Sequence, residues 1–226
     1  MYEILLRHPD FWVVHKPAGV SFHSESGLGF IELLRQQYPD GNFWPVHRLD
    51  KMTSGLVIVA TSAEAAALFG QLFSAGQIEK RYLALSKRKG KKKQGTIQGG
   101  MQPGRNGNWL LDQSSQNLAC TQFFSCAFNG VRLFYLRPIT GKTHQLRVAL
   151  KSNSSPILGD ARYGGEAAER GYLHAYSVSF DWQGDSINVI SRVPDGRFDS
   201  ALFDHVATHF NEAELTWPQT KLSKVE

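Results

Sequence analysis

The sequence predicts an α+β fold, built on a mainly antiparallel mixed sheet with flanking helices. After Gly76, segments of extended character follow one another along the chain, with few helical segments between them. This mixture of consecutive strands and intervening helices is typical of the α+β class. The 226 residues are 42% hydrophobic, which is enough for one sizeable core, and no repeat or clear linker divides them. One domain over residues 1–226 is therefore expected.

The first eighty residues contain signals for three strands and two helices. The Pro and Gly in residues 16–19, KPAG, break the extended N-terminal segment. The run GLVIVA is short, apolar and β-branched, as in a buried strand. Residues 61–64, TSAE, form a capping-box pattern that is typical of a helix start. These signals predict strands at residues 4–6, 11–15 and 55–60, one helix at residues 29–38, and a second helix that follows the TSAE capping box and reaches Ser74.

The remainder of the chain is richer in strand signals. Gly141 opens a turn that leads into a helix reaching Leu150, and a closing amphipathic helix is predicted at residues 198–210. The last ten residues, 217–226, are expected to fray. Strands are predicted at residues 81–86, 95–98, 118–128, 132–138, 172–180 and 186–190.

Positive charge is concentrated in one part of the chain. Lys and Arg number 25 against 20 Asp and Glu, a formal net charge of +5, and no acid occurs from Lys80 to Leu111. Such a block favours a polyanionic partner, whose contacts would come from Lys87, Lys91, Lys92 and Lys93. The alternative is a solvated, mobile hairpin whose charges only aid solubility.

Several classes of protein are not expected. No apolar run approaches the roughly 20 residues that span a bilayer, and residues 1–8 lack the pattern of a signal peptide. A cytoplasmic protein without a membrane segment is therefore expected. Cys120 and Cys126 are interpreted as unbridged thiols in a reducing compartment. His205 and His209 have the spacing of a helical metal pair, but the sequence suggests no third ligand, so no metal is expected.

Two polar segments are candidates for chemistry. Residues 46–56, VHRLDKMTSGL, place one acid among cationic and titratable groups and two hydroxyls, in a turn before a buried strand. Residues 140–147, TGKTHQLR, form a glycine turn followed by further cationic and titratable side chains. A single carboxylate, Asp50, among several bases suits a nucleophile or base beside an anionic substrate. The alternative is an Asp50 that only forms a turn or caps a helix.

The segment HRLDKMTSGL resembles the central motif of the RluA-type pseudouridine synthases, enzymes that isomerise uridine within RNA. It shares His, Arg, Leu, Asp, Thr, Ser and Gly with that motif. The usual arginine before Thr143 is Lys142 here, and the His-Pro dipeptide often found after Leu173-His174-Ala175 is absent. Further segments resemble family motifs in the family's order: DFWVVHKPAGV at residues 10–20, KRYLA at 80–84, GKTHQLR at 141–147, PILGD at 156–160 and YG at 163–164.

The resemblance implies a pseudouridine synthase fold with a central RNA-binding cleft, in a short form without an N-terminal S4-like domain. Asp50 aligns with the catalytic aspartate, which attacks either the ribose or the uracil ring after the uridine flips out of its stack. Arg147 would keep Asp50 ionised, and Leu146 would contact the base. Tyr82 aligns with the tyrosine that stacks on uracil and helps to move the C5 proton. Arg48 aligns with the arginine that enters the vacated stack.

The same resemblance implies supporting residues. His47 and His144 are interpreted as positioning residues, and Lys16 as a contact to RNA phosphate, with a solvated lysine as the alternative. Structural alternatives also stand for the other residues. Tyr82 would then be a packing residue of a strand, Arg147 a surface cation, and Arg48 an ion-pair partner of Asp50.

The implied protein is a monomeric isomerase that converts specific uridines of ribosomal or transfer RNA to pseudouridine. No metal or organic cofactor is implied, because the reaction has no redox or phosphoryl-transfer step. Two other classes stay open. One is a catalytically silent RNA-binding module, and the other is a hydrolase of RNA or nucleosides that breaks the glycosidic bond without rejoining it.

Overall fold

The computed structural model describes residues 2–23, 27–114 and 116–220. They cluster into two compact units, and the chain passes between them at residues 80–81, 173–174 and 195–196. Unit 1 contains the chain up to Lys80 together with His174–Asp195, and unit 2 contains Arg81–Leu173 and the chain from Gly196 onward. The expectation of one domain over residues 1–226 stays a prediction.

The α+β class predicted from the sequence is confirmed. Eight of the strand pairs are antiparallel, in agreement with a mainly antiparallel sheet. In chain order the elements are β1 Ile4–Arg7, β2 Phe11–Lys16, α1 Phe30–Gln37, β3 Trp44–Pro45, β4 Thr53–Ala60, α2 Ala63–Ser74, β5 Glu79–Ser86, β6 Gly95–Pro103, β7 Trp109–Asp112, β8 Leu118–Phe128, β9 Val131–Pro138, α3 Gln145–Ser152, β10 Leu173–Trp182, β11 Asp185–Ile190 and α4 Ser200–His209.

Unit 1 is built on the strand order β1-β2-β4-β10, with β3 beside β4 and β11 beside β10. Strand β2 pairs with β4 from Phe11↔Ala60 to Lys16↔Gly55. Every residue of β4 is buried, as the run GLVIVA predicts. Gly55 has a φ of 108°, and a Cβ there would lie 2.2 Å from the carbonyl oxygen of Ala175 on β10. Glycine is therefore required for the close approach of these two strands.

Unit 2 is built on the strand order β5-β9-β8-β6-β7. Strand β8 pairs with β9 from Thr121↔Pro138 to Phe128↔Val131, and β9 pairs with β5 from Leu136↔Tyr82 to Arg132↔Ser86. Phe123, Leu133 and Phe134 have no exposed surface, which places the core of this unit on β8 and β9. Among the described residues, no helix combines the length and hydropathy that crossing a membrane requires.

Two local predictions need correction. Helix α2 starts one residue later than the TSAE box implies: Ser62 is the N-cap and accepts from the Ala65 N–H at 3.1 Å, while the Thr61 hydroxyl donates to Pro9. The expected fraying from residue 217 is wrong for Trp217, whose ring lies 4.8 Å from that of Phe124. Residues 221–226 lie outside the described residues.

Candidate active site

Asp50 lies in a turn directly before the buried strand β4. Its backbone carbonyl accepts from the Thr53 N–H at 3.0 Å, which closes the turn. The preceding Leu49 is only 4% exposed and anchors the turn in the core, whereas Asp50 is half-buried. A carboxylate is thus presented at the rim of a rigid strand, the kind of place where reactive groups are commonly held.

Lys16 holds the Asp50 turn from inside the protein. Its side chain has no exposed surface, and its Nζ donates to the carbonyls of Pro17 at 2.9 Å, Val20 at 2.8 Å and Lys51 at 3.5 Å. The Lys51 carbonyl also accepts from the Gly19 N–H at 2.8 Å. The structure corrects the expectation that Lys16 contacts an RNA phosphate, because a buried ammonium directed at carbonyls of its own chain is not accessible to one.

Replacing Lys16 by Met is expected to lower the free energy of unfolding by about 1–3 kcal/mol, because buried carbonyl groups lose their donor. The matched control is Lys51→Met, since Lys51 is exposed and contributes only its backbone to this network. Urea denaturation measures both variants. Equal stability of Lys16→Met and the unmodified protein would contradict a structural role for this ammonium.

His47 and Arg48 differ sharply in their surroundings. The His47 Nε2 accepts from the Ile58 N–H at 2.9 Å, so the neutral ring carries its proton on Nδ1. Burial, assisted by the charge of Lys80, lowers the pKa of His47 to about 3. A ring that stays neutral suits the predicted positioning role. Arg48 is exposed, as a contact to RNA requires, and its roles in the RNA stack and as an ion-pair partner of Asp50 both stay predictions.

A buried network of hydrogen-bonded side chains in unit 1 begins at Ser54, four residues after Asp50. The His174 Nε2 faces the Ser191 carbonyl at 3.1 Å and therefore carries the proton, so its Nδ1 accepts from the Ser54 hydroxyl at 2.8 Å. His15 Nδ1 lies 3.0 Å from the Ser191 hydroxyl. Sequence analysis missed this role of His174, although its place in an apolar strand next to the family-like motif was a signal.

Tyr82 lies on β5 of unit 2 and is half-buried. Its neighbour Arg81 points to the opposite face, because successive strand residues alternate. There Arg81 forms a two-pronged ion pair with Glu212, which also accepts from the Tyr135 hydroxyl at 2.8 Å and the Trp217 Nε1 at 3.1 Å. Burial alone would raise the pKa of Glu212, but the hydrogen bonds and charge of Arg81 lower it below the ordinary value. These bonds hold β5 on the face of the strand opposite to Tyr82.

Arg147 lies on α3 and is held by a partner that the sequence did not reveal. Its Nε and Nη2 each donate to an oxygen of Asp160 at 2.8 Å, and the two side chains are 8% and 1% exposed. The guanidinium carbon also lies 4.9 Å from the centre of the Tyr163 ring. This bidentate geometry shows that Arg147 is not the surface cation of the structural alternative.

His144, three residues before Arg147, contacts the same tyrosine, Tyr163. His144 has a left-handed backbone, with a φ of 57°, and its Nδ1 lies 2.8 Å from the Tyr163 hydroxyl. That hydroxyl also accepts from the Trp109 N–H at 3.0 Å, so the Tyr163 ring is held by two polar contacts. Burial is the main reason why the pKa of Tyr163 is raised. His144 thus positions Tyr163 against Arg147, and Leu146 is 7% exposed beside them.

Within each unit, the structure brings some of the predicted site residues together. Lys16 and His47 support the Asp50 turn in unit 1, and His144 joins Arg147 in unit 2. The predicted role of Arg147 toward Asp50 remains a prediction. Asp160 and Tyr163 were missed as site residues, although the segments PILGD and YG that contain them had been matched to the family.

Among residues 2–23, 27–114 and 116–220, no group of three His, Cys, Asp or Glu side chains is arranged to hold a metal ion. His205 stacks on His209 with ring centres 5.0 Å apart, and its Nε2 lies 3.3 Å from the Cys126 sulfur. Cys120 and Cys126 are both free thiols.

Residues 10–152 match the family model described as RNA pseudouridylate synthase. A protein of Haemophilus influenzae named "Uncharacterized RNA pseudouridine synthase" is 49% identical over 221 residues, covering 95% of this chain and 98% of that protein. The "Ribosomal large subunit pseudouridine synthase C" of Haemophilus ducreyi is 32% identical over 79% of this chain, which spans 61% of that relative's length.

A solved structure shares the fold. The human protein "RNA Pseudouridylate Synthase Domain Containing 1" superposes with a TM-score of 0.76 at 24% identity, covering 97% of each chain. At this identity the likeness concerns the fold alone, and it agrees with the mainly antiparallel α+β arrangement described above.

Proposed function

Because this chain belongs to the RNA pseudouridylate synthase family, whose members isomerise uridine in RNA, we propose that Asp50 is the nucleophile of that reaction. The observation that carries the proposal is the position of Asp50, a carboxylate in an anchored turn at the start of a fully buried strand. The motif HRLDKMTSGL around it supports the same role. Rigid placement matters because a nucleophile must be held in line with the atom it attacks.

In the proposed reaction Asp50 bonds transiently to a carbon of the ribose or of the uracil ring. The glycosidic bond between C1′ and N1 breaks, a bond between C1′ and C5 forms, and the bond to Asp50 breaks again, which restores the carboxylate. The proton on C5 is released, and N1 gains one, so atoms and charge balance without a redox partner. The target uridine first leaves its stack, which costs a few kcal/mol. We assign Tyr82 to stack on the uracil and to assist removal of the C5 proton, and Arg48 to enter the vacated stack.

Ribosomal RNA is the first substrate to test, with transfer RNA as the second. The name of the Haemophilus ducreyi relative refers to the large ribosomal subunit, and this supports the choice. The cations Lys87, Lys91, Lys92 and Lys93 are all exposed, which suits the proposed contacts to the RNA backbone. Arg147, fixed by Asp160, is assigned to favour the ionised form of the nucleophile, and Leu146 to contact the base.

RNA carrying tritium at C5 of uridine is expected to release it to water when incubated with this protein in the presence of a chelator. The fair substrate is ribosomal and transfer RNA from cells that lack the gene. Tyr82→Ala should lower release by about 10²-fold or more, while Tyr82→Phe keeps the ring and so separates stacking from proton transfer.

The products distinguish the proposed reaction from the other two classes. Free uracil in place of pseudouridine would indicate a hydrolase. RNA binding without any tritium release would indicate a silent binding module. Either result would overturn the proposal.

A further inference from the structure

The segment that joins β5 to β6 in unit 2, residues 87–94, carries six exposed cations and is called the basic loop here. They are Lys87, Arg88, Lys89, Lys91, Lys92 and Lys93. The sequence left open whether this loop is a mobile hairpin. The structure shows instead that its backbone is hydrogen-bonded to other residues of unit 2 at Arg88, Lys91, Lys92 and Lys93.

Asn153, the residue after α3, holds the middle of the basic loop. Its carbonyl accepts from the Lys91 N–H at 2.7 Å, and its Oδ1 accepts from the Lys92 N–H at 3.0 Å. Its Nδ2 donates to the Lys92 carbonyl at 3.2 Å and to the Ser155 hydroxyl at 3.1 Å. Asn153 is only 4% exposed, so these bonds are shielded from water. The side chain thus grips the loop backbone and leaves its lysine side chains outside.

The absence of a side chain at Gly90 allows Asn153 to reach the loop backbone. The φ of Gly90 is 79°, a left-handed conformation that favours glycine, and a Cβ there would lie 2.4 Å from the Asn153 Nδ2. The ends of the basic loop are tied as well. The Arg88 N–H bonds to the Ser86 hydroxyl at 3.1 Å, and the Lys93 carbonyl accepts from the Ser125 hydroxyl.

A seventh cation lies beside the end of the basic loop. Arg132 is 9% exposed, and its Nε donates at 3.0 Å to the same Ser125 hydroxyl that bonds Lys93. Its Nη2 is buried and finds no acceptor among the described residues. Within the described part of the chain, the basic loop and Arg132 have one ion pair, between Arg88 Nε and Glu166 Oε1 at 3.8 Å.

In the absence of a bound polyanion, the cations of the basic loop repel one another. Like charges held close together repel, and a mobile loop would relax by spreading its cations into solvent. A fixed backbone limits that relaxation, because only the side chains can still spread. It also removes most of the entropy cost of ordering the loop when a polyanion binds, which is the general advantage of preorganisation.

We propose that Asn153 and Gly90 hold the basic loop as a preformed binding element for consecutive phosphates of the RNA backbone. The proposal rests on the proposed function, in which Tyr82 contacts the target uridine. Ser86, where the loop begins, is four residues from Tyr82 on the same strand and the same face, which is about 13 Å. Phosphates of one strand of B-DNA follow one another at about 3.4 Å along the helix axis, and a spacing of this order in RNA places the loop beside phosphates a few nucleotides from the target.

The test measures binding of a short fluorescent RNA stem–loop at several salt concentrations. Lys91→Ala/Lys92→Ala removes two charges and keeps both Asn153 and Gly90. RNA affinity should therefore fall, and the slope of log K against log salt should shrink by roughly 1.5 to 2. Asn153→Ala and Gly90→Ala keep every charge but disturb the bonds that fix the loop backbone, so RNA affinity should fall about fivefold with little change in slope. The control Arg192→Ala/Arg197→Ala removes two exposed cations elsewhere.

Thermal unfolding of each variant is recorded alongside, and Gly90→Ala keeps the test decisive if Asn153→Ala fails to fold. An unchanged slope for the double lysine variant, or unchanged affinity for Gly90→Ala, would overturn the proposal. Pseudouridine formation is assayed on the same samples. Normal product with unchanged binding would refute only the loop proposal, whereas the expected binding shifts without product would refute only the proposed function.

Discussion

Pseudouridine formation by an Asp50→Asn variant is expected to fall by about 10⁴-fold or more, while the fold and most of the RNA affinity are retained. Asn has the shape of Asp but lacks the negative charge needed to attack carbon. The backbone bond from the Thr53 N–H to the Asp50 carbonyl does not involve the side chain, so the turn is preserved. Quantification of pseudouridine in digested RNA, together with tritium release, measures the effect.

The matched control is Asp40→Asn, which removes one carboxylate from an exposed turn after α1. This control should retain normal turnover. Near-normal activity of Asp50→Asn would show that the carboxylate is not the nucleophile. Weak activity with a large loss of RNA binding would point to a role in holding the turn instead.

The strands of this protein could be predicted wherever the local pattern was strong. GLVIVA predicted β4, because a short β-branched run is a signal that survives any tertiary arrangement. The strand β7 was missed because WLLD has no alternation, and its Trp109 and Leu111 pack against a cluster containing Val148 from α3. Such a strand is stabilised by partners distant in sequence, which a local pattern does not show.

In the candidate site, too, residues with a strong local signal could be predicted, and residues held by distant parts of the chain could not. Asp50 could be predicted because its motif is contiguous, and its turn and strand follow from neighbouring residues. The burial of Lys16 could not, since it depends on the pairing of β2 with β4, in which Lys16 lies opposite Gly55. The last ten residues were expected to fray, yet the Trp217 ring lies 5.4 Å from the Arg81 guanidinium and its Nε1 donates to Glu212. A lone tryptophan in a polar tail was the available signal.

The largest effect on stability is expected from Asp160→Asn, which leaves the Arg147 guanidinium buried without its counterion. Breaking a buried pair in this way costs about 3–5 kcal/mol, because the remaining charge stays desolvated. Both oxygens of Asp160 accept from Arg147 at 2.8 Å, so the loss is that of a complete bidentate contact. Glu166→Gln is the control, because its 3.8 Å pair with Arg88 is exposed and worth at most about 1 kcal/mol.

A double variant separates the structural contribution of this pair from its contribution to the reaction. Arg147→Met/Asp160→Leu removes both charges, and an apolar replacement of a buried pair is often close to neutral. Urea denaturation should therefore show that the double variant regains most of the stability lost in Asp160→Asn. Its turnover should stay low, because the guanidinium assigned to the ionised nucleophile is gone. Recovery of turnover together with stability would show that Arg147 acts only by holding α3 to Asp160.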